Sequence, residues 1–148
     1  MFYSFSHPNI CGVKDSGGDI TKIGQVLRLT DGIDDFQVLA GSASFLYSAC
    51  SLGASGGVCA LANVLGKEVV ELFDLTKSGK HEQAVALQKR LIAPNQAVTR
   101  VFGVPGLKAA MEEFNYETGH LRSPLCELNA TKKDKVLSAF TANDFKSQ

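Results

Sequence analysis

The sequence predicts an α/β fold in which three strand-helix units are followed by helices alone. Three apolar runs rich in strand-forming residues end near residues 14, 40 and 60, and each leads into a segment whose apolar residues recur at helical spacing. This alternation favours right-handed βαβ units and a parallel sheet. Because only helical patterns follow Gly79, we divide the chain into residues 1–79, which hold the three units, and residues 80–148, which hold further helices.

Length and charge argue against several classes of protein. The 148 residues are enough for one domain that buries roughly 68% of its unfolded surface. Lys and Arg number 15, as do Asp and Glu, and they are mixed along the chain, so no basic patch predicts binding to nucleic acid or to a membrane surface. Glycines and small polar residues interrupt the low-charge stretch 36–66, which therefore predicts buried core rather than a membrane span.

The cysteines and histidines predict neither a disulfide framework nor a metal site. The cysteines form no CxxC motif and mostly lie in apolar runs, a pattern typical of reduced thiols in an intracellular protein. They are Cys11, Cys50, Cys59 and Cys126. The histidines at positions 7, 81 and 120 lack the i, i+4 spacing of a metal-binding helix. Residues 1–6 are too short for a signal peptide and contain no arginine, so no targeting segment is expected there.

The first unit is the stretch around which we organise the chain. Residues 10–14 predict a strand that ends in Lys14, and the turn at Gly17-Gly18 leads to Asp19. Aspartate is a preferred helix N-cap, and apolar spacing then predicts a helix to about Thr30. The glycine pair matches neither a Walker loop nor a dinucleotide-binding fingerprint.

Lys14 is the first candidate for a functional residue. In α/β proteins, functional groups collect at the carboxyl ends of parallel strands, where the strand is rigid and the loop is free to vary. The alternative is a solvated lysine at the edge of a sheet, which is the commoner role for a lysine in this position.

The second and third units follow the same scheme. Residues 36–40 predict a strand that ends in Gly41 and Ser42, small residues that let a ligand approach the backbone. Helical spacing resumes at Ser44 and stops before a C-terminal glycine at position 53. Residues 56–60 predict the third strand, and Asn63 is the expected cap of a helix that stops at Gly79.

The remaining chain predicts helices interrupted by two prolines. Pro94 is expected to kink or end the first of these helices, and Pro105 to stand at the first position of another. Thr131 with Asp134 predicts a capping box that opens the last one. The predicted helical segments are 81–93, 95–102, 106–114 and 131–142, with residues 146–148 frayed.

The predicted sheet has two unprotected edges. Three parallel strands buried on both faces, with no sequence left to flank them, would leave apolar edges open to pairing. We therefore expect this chain to be the carboxyl-terminal part of a larger barrel or sheet, or to need a partner that closes it.

Several segments together resemble the last strands of the dihydrodipicolinate synthase/N-acetylneuraminate lyase superfamily. These are residues 12–19, 38–42 and 53–58. Within the superfamily, the chain is most similar to the mitochondrial-type 4-hydroxy-2-oxoglutarate aldolases. That likeness depends on Lys-Asp-Ser-Gly-Gly-Asp at 14–19, Cys-Ala-Leu-Ala-Asn at 59–63 and Phe-Gly-Val-Pro-Gly-Leu-Lys at 102–108. The resemblance extends from His7 to about Leu128.

The resemblance implies a (β/α)8 TIM barrel of which residues 1–79 hold strands six to eight, with residues 80–148 as a C-terminal helical extension used in tetramer packing. Lys14 would be the Schiff-base lysine on the sixth strand, made reactive by burial in the barrel mouth. Gly41 and Ser42 would close the seventh strand. A mitochondrial location is implied too, with cytoplasm as the alternative.

The implied reaction is that of a class I aldolase which cleaves 4-hydroxy-2-oxoglutarate to pyruvate and glyoxylate without a cofactor or metal. The iminium on Lys14 would accept the electron pair of the breaking carbon-carbon bond. Ser16, Gly41 and Ser42 are the expected substrate-binding residues, although either serine would serve equally well as a turn residue. Asp15 would either pair with a charge in the mouth or face solvent.

Three interpretations remain open at this point. The family's carboxylate-binding loop and its proton-shuttling tyrosine are not found in the sequence, since Tyr3, Tyr47 and Tyr116 do not match the latter in spacing. The chain is therefore expected to be a fragment or truncated isoform of a lyase. The alternatives are a non-catalytic interaction module that pairs with itself or with longer subunits, and a lyase of the dihydrodipicolinate synthase type.

Overall fold

The computed structural model describes residues 7–33 and 35–146, and within them it contains three strands and six α-helices. These are β1 (Gly12–Asp15), α1 (Ile20–Leu29), β2 (Gln37–Ala40), α2 (Leu46–Ser51), β3 (Gly56–Gly57), α3 (Gly66–Lys77), α4 (His81–Gln96), α5 (Gly103–Glu113) and α6 (Ala130–Thr141). Short 3₁₀ turns at Ala43–Phe45 and Ala60–Asn63 and a π-helical turn at Ala97–Val101 complete them. The predicted α/β order and the helical second half are confirmed.

The strands form one parallel sheet in the order β1-β2-β3. Alternate residues of β2 face opposite ways, so Val38 and Ala40 are buried beneath the helices while Lys14 and Leu39, which are paired in register, share the other face. Lys14 is exposed and Leu39 half-buried there. An open groove of about 570 Å³ lies along this face, so the described residues cover only one side of the sheet.

The core lies between the sheet and the helices. Each helix places its buried residues three or four positions apart, which is the spacing that keeps them on one face. They include Ile23 and Val26 of α1, Leu46 and Ala49 of α2, Leu72 of α3, Leu87 and Leu91 of α4, and Val136 and Phe140 of α6. Full burial of each large side chain contributes about 1.5–3 kcal/mol to the stability of the fold. Buried residues of α4, α5 and α6 belong to the same core as those of α1 to α3, so the helices after residue 79 enlarge it. The division of the chain at that residue stays a prediction.

The start of α1 confirms its prediction in detail. Asp19 has an extended backbone, and its side chain accepts a hydrogen bond from the N–H of Lys22 at 3.0 Å. This satisfies one of the N–H groups that the first turn of a helix leaves without a partner.

The third strand is shorter than predicted. It pairs with β2 only at Gly56 and Gly57, and after the Val58 N–H donates to the carbonyl of Ala40 at 2.8 Å the ladder stops because β2 ends. The helix cap predicted at Asn63 is also wrong. Its Nδ2 donates to the carbonyl of Ala60 at 3.0 Å within a 3₁₀ turn, and α3 begins three residues later.

The helix boundaries of the second half differ from the prediction at several points. Pro94 does not end α4, which continues to Gln96 and passes into the π-helical turn, and the kink expected at Pro94 stays a prediction. Pro105 is the third residue of α5, where its missing N–H costs little because the first turn has no intrahelical acceptor for it. Asn129 rather than Thr131 caps α6, since the Asn129 side chain accepts from the Lys132 N–H at 3.0 Å.

The first residues of α5 pack closely against the π-helical turn that precedes them. A Cβ atom on Gly106 would lie 2.6 Å from Cβ of Phe102 and 2.8 Å from the carbonyl oxygen of Ala97, so this crossing requires glycine. Further on, Lys108 donates to the carbonyls of residues 118, 119 and 120 and fixes the loop that leads to α6.

Two further findings complete the fold. Within residues 7–33 and 35–146, no helix has the length and apolar character needed to cross a membrane. The expectations for residues 1–6, including Tyr3, and for residues 147 and 148 lie outside the described residues.

Candidate active site

Lys14 and Ser16 meet at the carboxyl end of β1. Lys14 is the third residue of the strand, and its Nζ donates to Oγ of Ser16 at 3.0 Å. The backbone brings them together because residues i and i+2 of an extended segment project to the same side. The burial expected of this amine is not present among the described residues, because Lys14 lies on the open face of the sheet.

Gly41 allows a close backbone approach beside Lys14. Its N–H donates to the carbonyl of Asp15 at 2.7 Å, which continues the ladder between β1 and β2. A Cβ atom at this position would overlap Oγ of Ser16, and it would lie 2.7 Å from Cδ of Lys14 and 2.8 Å from the carbonyl oxygen of Asp15. The site therefore requires glycine here.

Ser42 is held in place by a distant part of the chain. Its Oγ accepts a hydrogen bond from Nδ2 of Asn95 at 2.9 Å and lies 3.0 Å from Oγ of Ser44. Asn95 belongs to α4 and is only 1% exposed, while its Oδ1 has no hydrogen-bond partner within the described part of the protein. Buried amide oxygens are rarely left without a partner, so the unpaired Oδ1 of Asn95 is an unusual feature of the molecule.

These residues border a cleft of about 310 Å³. The cleft is lined by residues at the ends of β1 and β2 and by two residues of the π-helical turn, namely Ser16, Gly17, Gly18, Gly41, Ser42, Ser44, Phe45, Thr99 and Arg100. Lys14 does not line the cleft itself, but its amine reaches the rim through Ser16. The predicted substrate-binding residues Ser16, Gly41 and Ser42 thus lie together beside the predicted lysine.

Asp15 has a different role from its neighbours. It faces the covered side of the sheet, where it forms an ion pair with Lys22 of α1 and accepts a hydrogen bond from the Gly17 N–H at 2.9 Å. The hydrogen bond from Lys22 holds the pKa of Asp15 below its ordinary value of 3.8, against the opposing effect of burial. Its partner is therefore a lysine of α1 rather than Lys14.

The buried cysteines are not nucleophiles at neutral pH. Burial raises the pKa of the Cys59 thiol to about 11, with Cys50 adding to the effect and Lys14 opposing it, and burial also raises the pKa of Cys50. Cys11 and Cys126 are exposed. Among the residues that the structure describes, no three His, Cys, Asp or Glu side chains come together in a way that would hold a metal ion.

Sequence analysis missed Asn95, Thr99 and Arg100. Gln88, Leu91 and Asn95 fall at helical spacing i, i+3 and i+7, which places two amides on the apolar face of α4. Both are buried, and Gln88 also holds this region by accepting from the N–H of Tyr47 and donating to the carbonyl of Ala43. A polar residue on an apolar face was the signal that could have pointed to Asn95, whereas this signal does not mark Thr99 or Arg100.

Comparison with known proteins decides the family. A family model described as the dihydrodipicolinate synthetase family matches residues 4–143. The chain belongs to the dihydrodipicolinate synthetase family. A 4-hydroxy-tetrahydrodipicolinate synthase of Thermodesulfovibrio yellowstonii is 30% identical over 130 residues, which are 88% of this chain and 44% of that protein. A second protein of that name, from Halalkalibacterium halodurans, is 28% identical over 86% of this chain and 43% of its own length.

Solved structures of the family share the fold. A putative dihydrodipicolinate synthase of Thermus thermophilus is 30% identical with a TM-score of 0.81, covering 93% of this chain and 47% of that one. A dihydrodipicolinate synthase of Bacillus anthracis is 25% identical with a TM-score of 0.85, covering 91% and 46%. The chain therefore spans about half the length of the family members it matches.

These comparisons confirm the superfamily resemblance and the α/β fold of the dihydrodipicolinate synthase type. The narrower likeness to 4-hydroxy-2-oxoglutarate aldolases, the strand numbers within a barrel and the roles of Lys14, Ser16, Gly41 and Ser42 stay predictions.

Proposed function

We propose that this chain supplies the Schiff-base lysine, Lys14, of a class I lyase that acts on small 2-oxo acids. The observation that carries the proposal is the placement of the Lys14 amine at the end of β1, hydrogen-bonded to Ser16 and next to Gly41 and Ser42, in a member of the dihydrodipicolinate synthetase family. Pyruvate-forming chemistry needs one amine, and no metal or organic cofactor, to stabilise the carbanion.

The chemistry follows from the amine. Neutral Lys14 attacks the carbonyl carbon of the 2-oxo acid, and loss of water leaves an iminium. The bond between the α-carbon and the hydroxyl-bearing carbon then breaks, and its electron pair forms the carbon-carbon double bond of an enamine while the π pair of the iminium moves to nitrogen. The hydroxyl proton of the departing half leaves to a base, and that half becomes an aldehyde. Protonation and hydrolysis of the enamine then release pyruvate and the free lysine. Ser16 can accept a hydrogen bond from the amine and orient it.

We further propose that β1, β2 and β3 are strands six to eight of a (β/α)8 barrel whose interior is the open face of the sheet. The support is that Lys14 and Leu39 share the face that no described helix covers, and that the matching solved structures are about twice as long as this chain. Closure of a barrel would cover the face of the sheet on which Lys14 lies. Residues 80–148 would be the helical extension of a homo-oligomer.

Two substrates are candidates for the proposed site. The names of the curated relatives favour a reaction that forms 4-hydroxy-tetrahydrodipicolinate. The sequence of residues 14–19 instead favours cleavage of 4-hydroxy-2-oxoglutarate to pyruvate and glyoxylate. Both reactions use the enamine of pyruvate on Lys14, so one experiment tests their common step, and assays of glyoxylate release and of condensation with an aldehyde acceptor then separate them.

The test is reductive trapping. The purified chain is mixed with pyruvate and borohydride, the intact mass is measured, and a peptide map locates the adduct, with Lys14→Ala and the exposed Lys89→Ala as the matched pair of variants. We expect one adduct on Lys14, lost only in Lys14→Ala. A chain that is folded by circular dichroism and forms no adduct would overturn the proposal. That result would favour the interaction module instead.

A further inference from the structure

The described residues give the cleft beside Lys14 a single formal charge. They line it with three serines, Thr99, glycines and Phe45, and Arg100 is the one ionisable side chain among them. No acidic side chain lines it within the described residues, and the nearby carboxylate of Asp15 is paired with Lys22. A cleft lined by hydroxyl groups and one cation favours an anionic ligand.

Arg100 is free to bind such a ligand. Its side chain is exposed, and no other described residue forms a hydrogen bond or ion pair with it. An arginine presents donors in a planar fork that matches the two oxygens of a carboxylate. With a cleft of about 310 Å³, the space is that of a few-carbon acid, at the small end of ligand sites.

The backbone fixes Arg100 relative to the catalytic side of the cleft. Thr99 and Arg100 stand on the π-helical turn, and the Thr99 hydroxyl donates to the carbonyl of Asn95 at 2.5 Å. The Asn95 side chain donates in turn to Ser42, another lining residue of the cleft. One buried residue therefore links Thr99 of the π-helical turn to Ser42, and π-helical turns are often found at functional sites.

We propose that Arg100 binds a carboxylate in the half of the substrate that Lys14 does not hold, with the hydroxyls of Ser42 and Ser44 beside it, and so makes the site selective for 2-oxo acids that carry a second carboxylate. The inference rests on the proposed function, since Lys14 must hold the carbonyl. It adds a specificity-determining residue from the helical half of the chain, 86 positions beyond the lysine.

The experiment compares two probes that differ in the second carboxylate. Borohydride trapping is measured against the concentration of 2-oxoglutarate and of 2-oxobutyrate for the wild type, Arg100→Gln, and Arg122→Gln as an exposed arginine outside the cleft. We expect trapping to be half-maximal at a lower concentration of 2-oxoglutarate than of 2-oxobutyrate. Arg100→Gln should reduce the ratio of these two concentrations about tenfold, the effect of losing one charged hydrogen-bonding contact. Arg122→Gln should keep it. An unchanged preference in Arg100→Gln would overturn the inference.

A second measurement separates this inference from the proposed function. Glutarate has both carboxylates but no carbonyl, so its binding, followed by calorimetry, does not depend on a Schiff base. Weaker binding of glutarate to Arg100→Gln than to Arg122→Gln, by about tenfold, supports the role of Arg100 even if no acid is trapped on Lys14. Equal binding to the two variants overturns it, whether or not the lysine is trapped.

Discussion

At the scale of single residues, Gly41 defines the geometry beside Lys14. The backbone carbonyl of Asp15, the aliphatic chain of Lys14 and the hydroxyl of Ser16 all approach the space that a side chain would occupy. Because one of these neighbours is backbone, a side chain there cannot be accommodated by a change of rotamer alone. The strand, the amine and the serine would have to shift together.

We predict that Gly41→Ala destabilises the protein by about 1–3 kcal/mol, the usual cost of overpacking. It should also impair trapping of pyruvate on Lys14. Gly56→Ala is the matched control in the same sheet, since its Cβ would meet Cδ2 of Leu39 at an ordinary 3.7 Å. Urea unfolding of both variants measures the difference, and equal stability would contradict the close approach at Gly41.

The pH dependence of stability should report the ion pair of Asp15. Because the folded-state pKa of Asp15 is lower than the ordinary 3.8, the ionised form contributes stability that is fully present above pH 3.8 and is lost as the pH falls through the folded-state value. We predict that Asp15→Asn is less stable than wild type at pH 7 by at most about 1 kcal/mol, since the pair is partly exposed. The difference should shrink below pH 4.

Urea unfolding at pH 7, 5 and 3 checks this prediction, with Asp134→Asn on the exposed face of α6 as the control. A stability difference between wild type and Asp15→Asn that stays constant down to pH 3 would contradict the assignment.

At the scale of elements, α4 is the part that joins the two halves of the chain. Its buried amides, Gln88 and Asn95, form hydrogen bonds with the segment between β2 and α2, where Ser42 lies, and with the first turn of α2. A helix with apolar residues alone on this face would pack against the segment without fixing the direction of its polar groups.

We predict that Asn95→Ala costs about 1–2 kcal/mol, because Ser42 loses a buried donor while the unpaired Oδ1 disappears with it. Gln96→Ala, next in the chain and exposed, should change stability by less than about 0.5 kcal/mol. Thermal and urea unfolding compare the two. Equal effects would show that the contact to Ser42 contributes nothing.

The sequence predicted elements whose signals are local. The cap at Asp19 and the strand ending near Lys14 depend on a few adjacent residues, and both are confirmed. The cap of α6 lies two residues before the predicted one, at Asn129 rather than Thr131, because the extended backbone of Asn129 lets its side chain reach the N–H of Lys132. The third strand stopped early because its partner β2 ended, which no pattern within residues 56–60 could indicate.

The same distinction holds for the candidate site. Lys14, Ser16, Gly41 and Ser42 stand at strand ends, and the carboxyl ends of parallel strands meet, so their proximity could be predicted. Asn95 and Arg100 reach the site only through the packing of α4, about 50 residues beyond Ser42. Tertiary contacts at that separation are not visible in hydrophobic spacing.

At the scale of the whole molecule, the open face of the sheet is the main departure from a closed α/β domain. It carries Leu39 beside the exposed Lys14, and the chain flanking it exposes Ile10 and Ile33. Within the part of the chain that the structure describes, the outer edges of β1 and β3 pair with no further strand. Apolar surface next to such edges favours association with other chains.

We predict that the purified chain self-associates as its concentration rises and that Leu39→Lys weakens this association. Leu125→Lys replaces an exposed leucine of a loop and should leave it unchanged. Sedimentation velocity over a range of concentrations measures both. A wild-type chain that stays monomeric throughout would contradict the prediction.

The π-helical turn also limits how this family member can vary in length. Each residue of an α-helix rotates the chain by about 100°, so removing one residue between positions 97 and 101 would turn Arg100 away from the cleft or move Gly106 off its contact with Ala97. A shorter segment could not keep both Arg100 at the cleft and Gly106 in contact with Ala97. The spacing from Asn95 to Gly106 is therefore fixed to the residue.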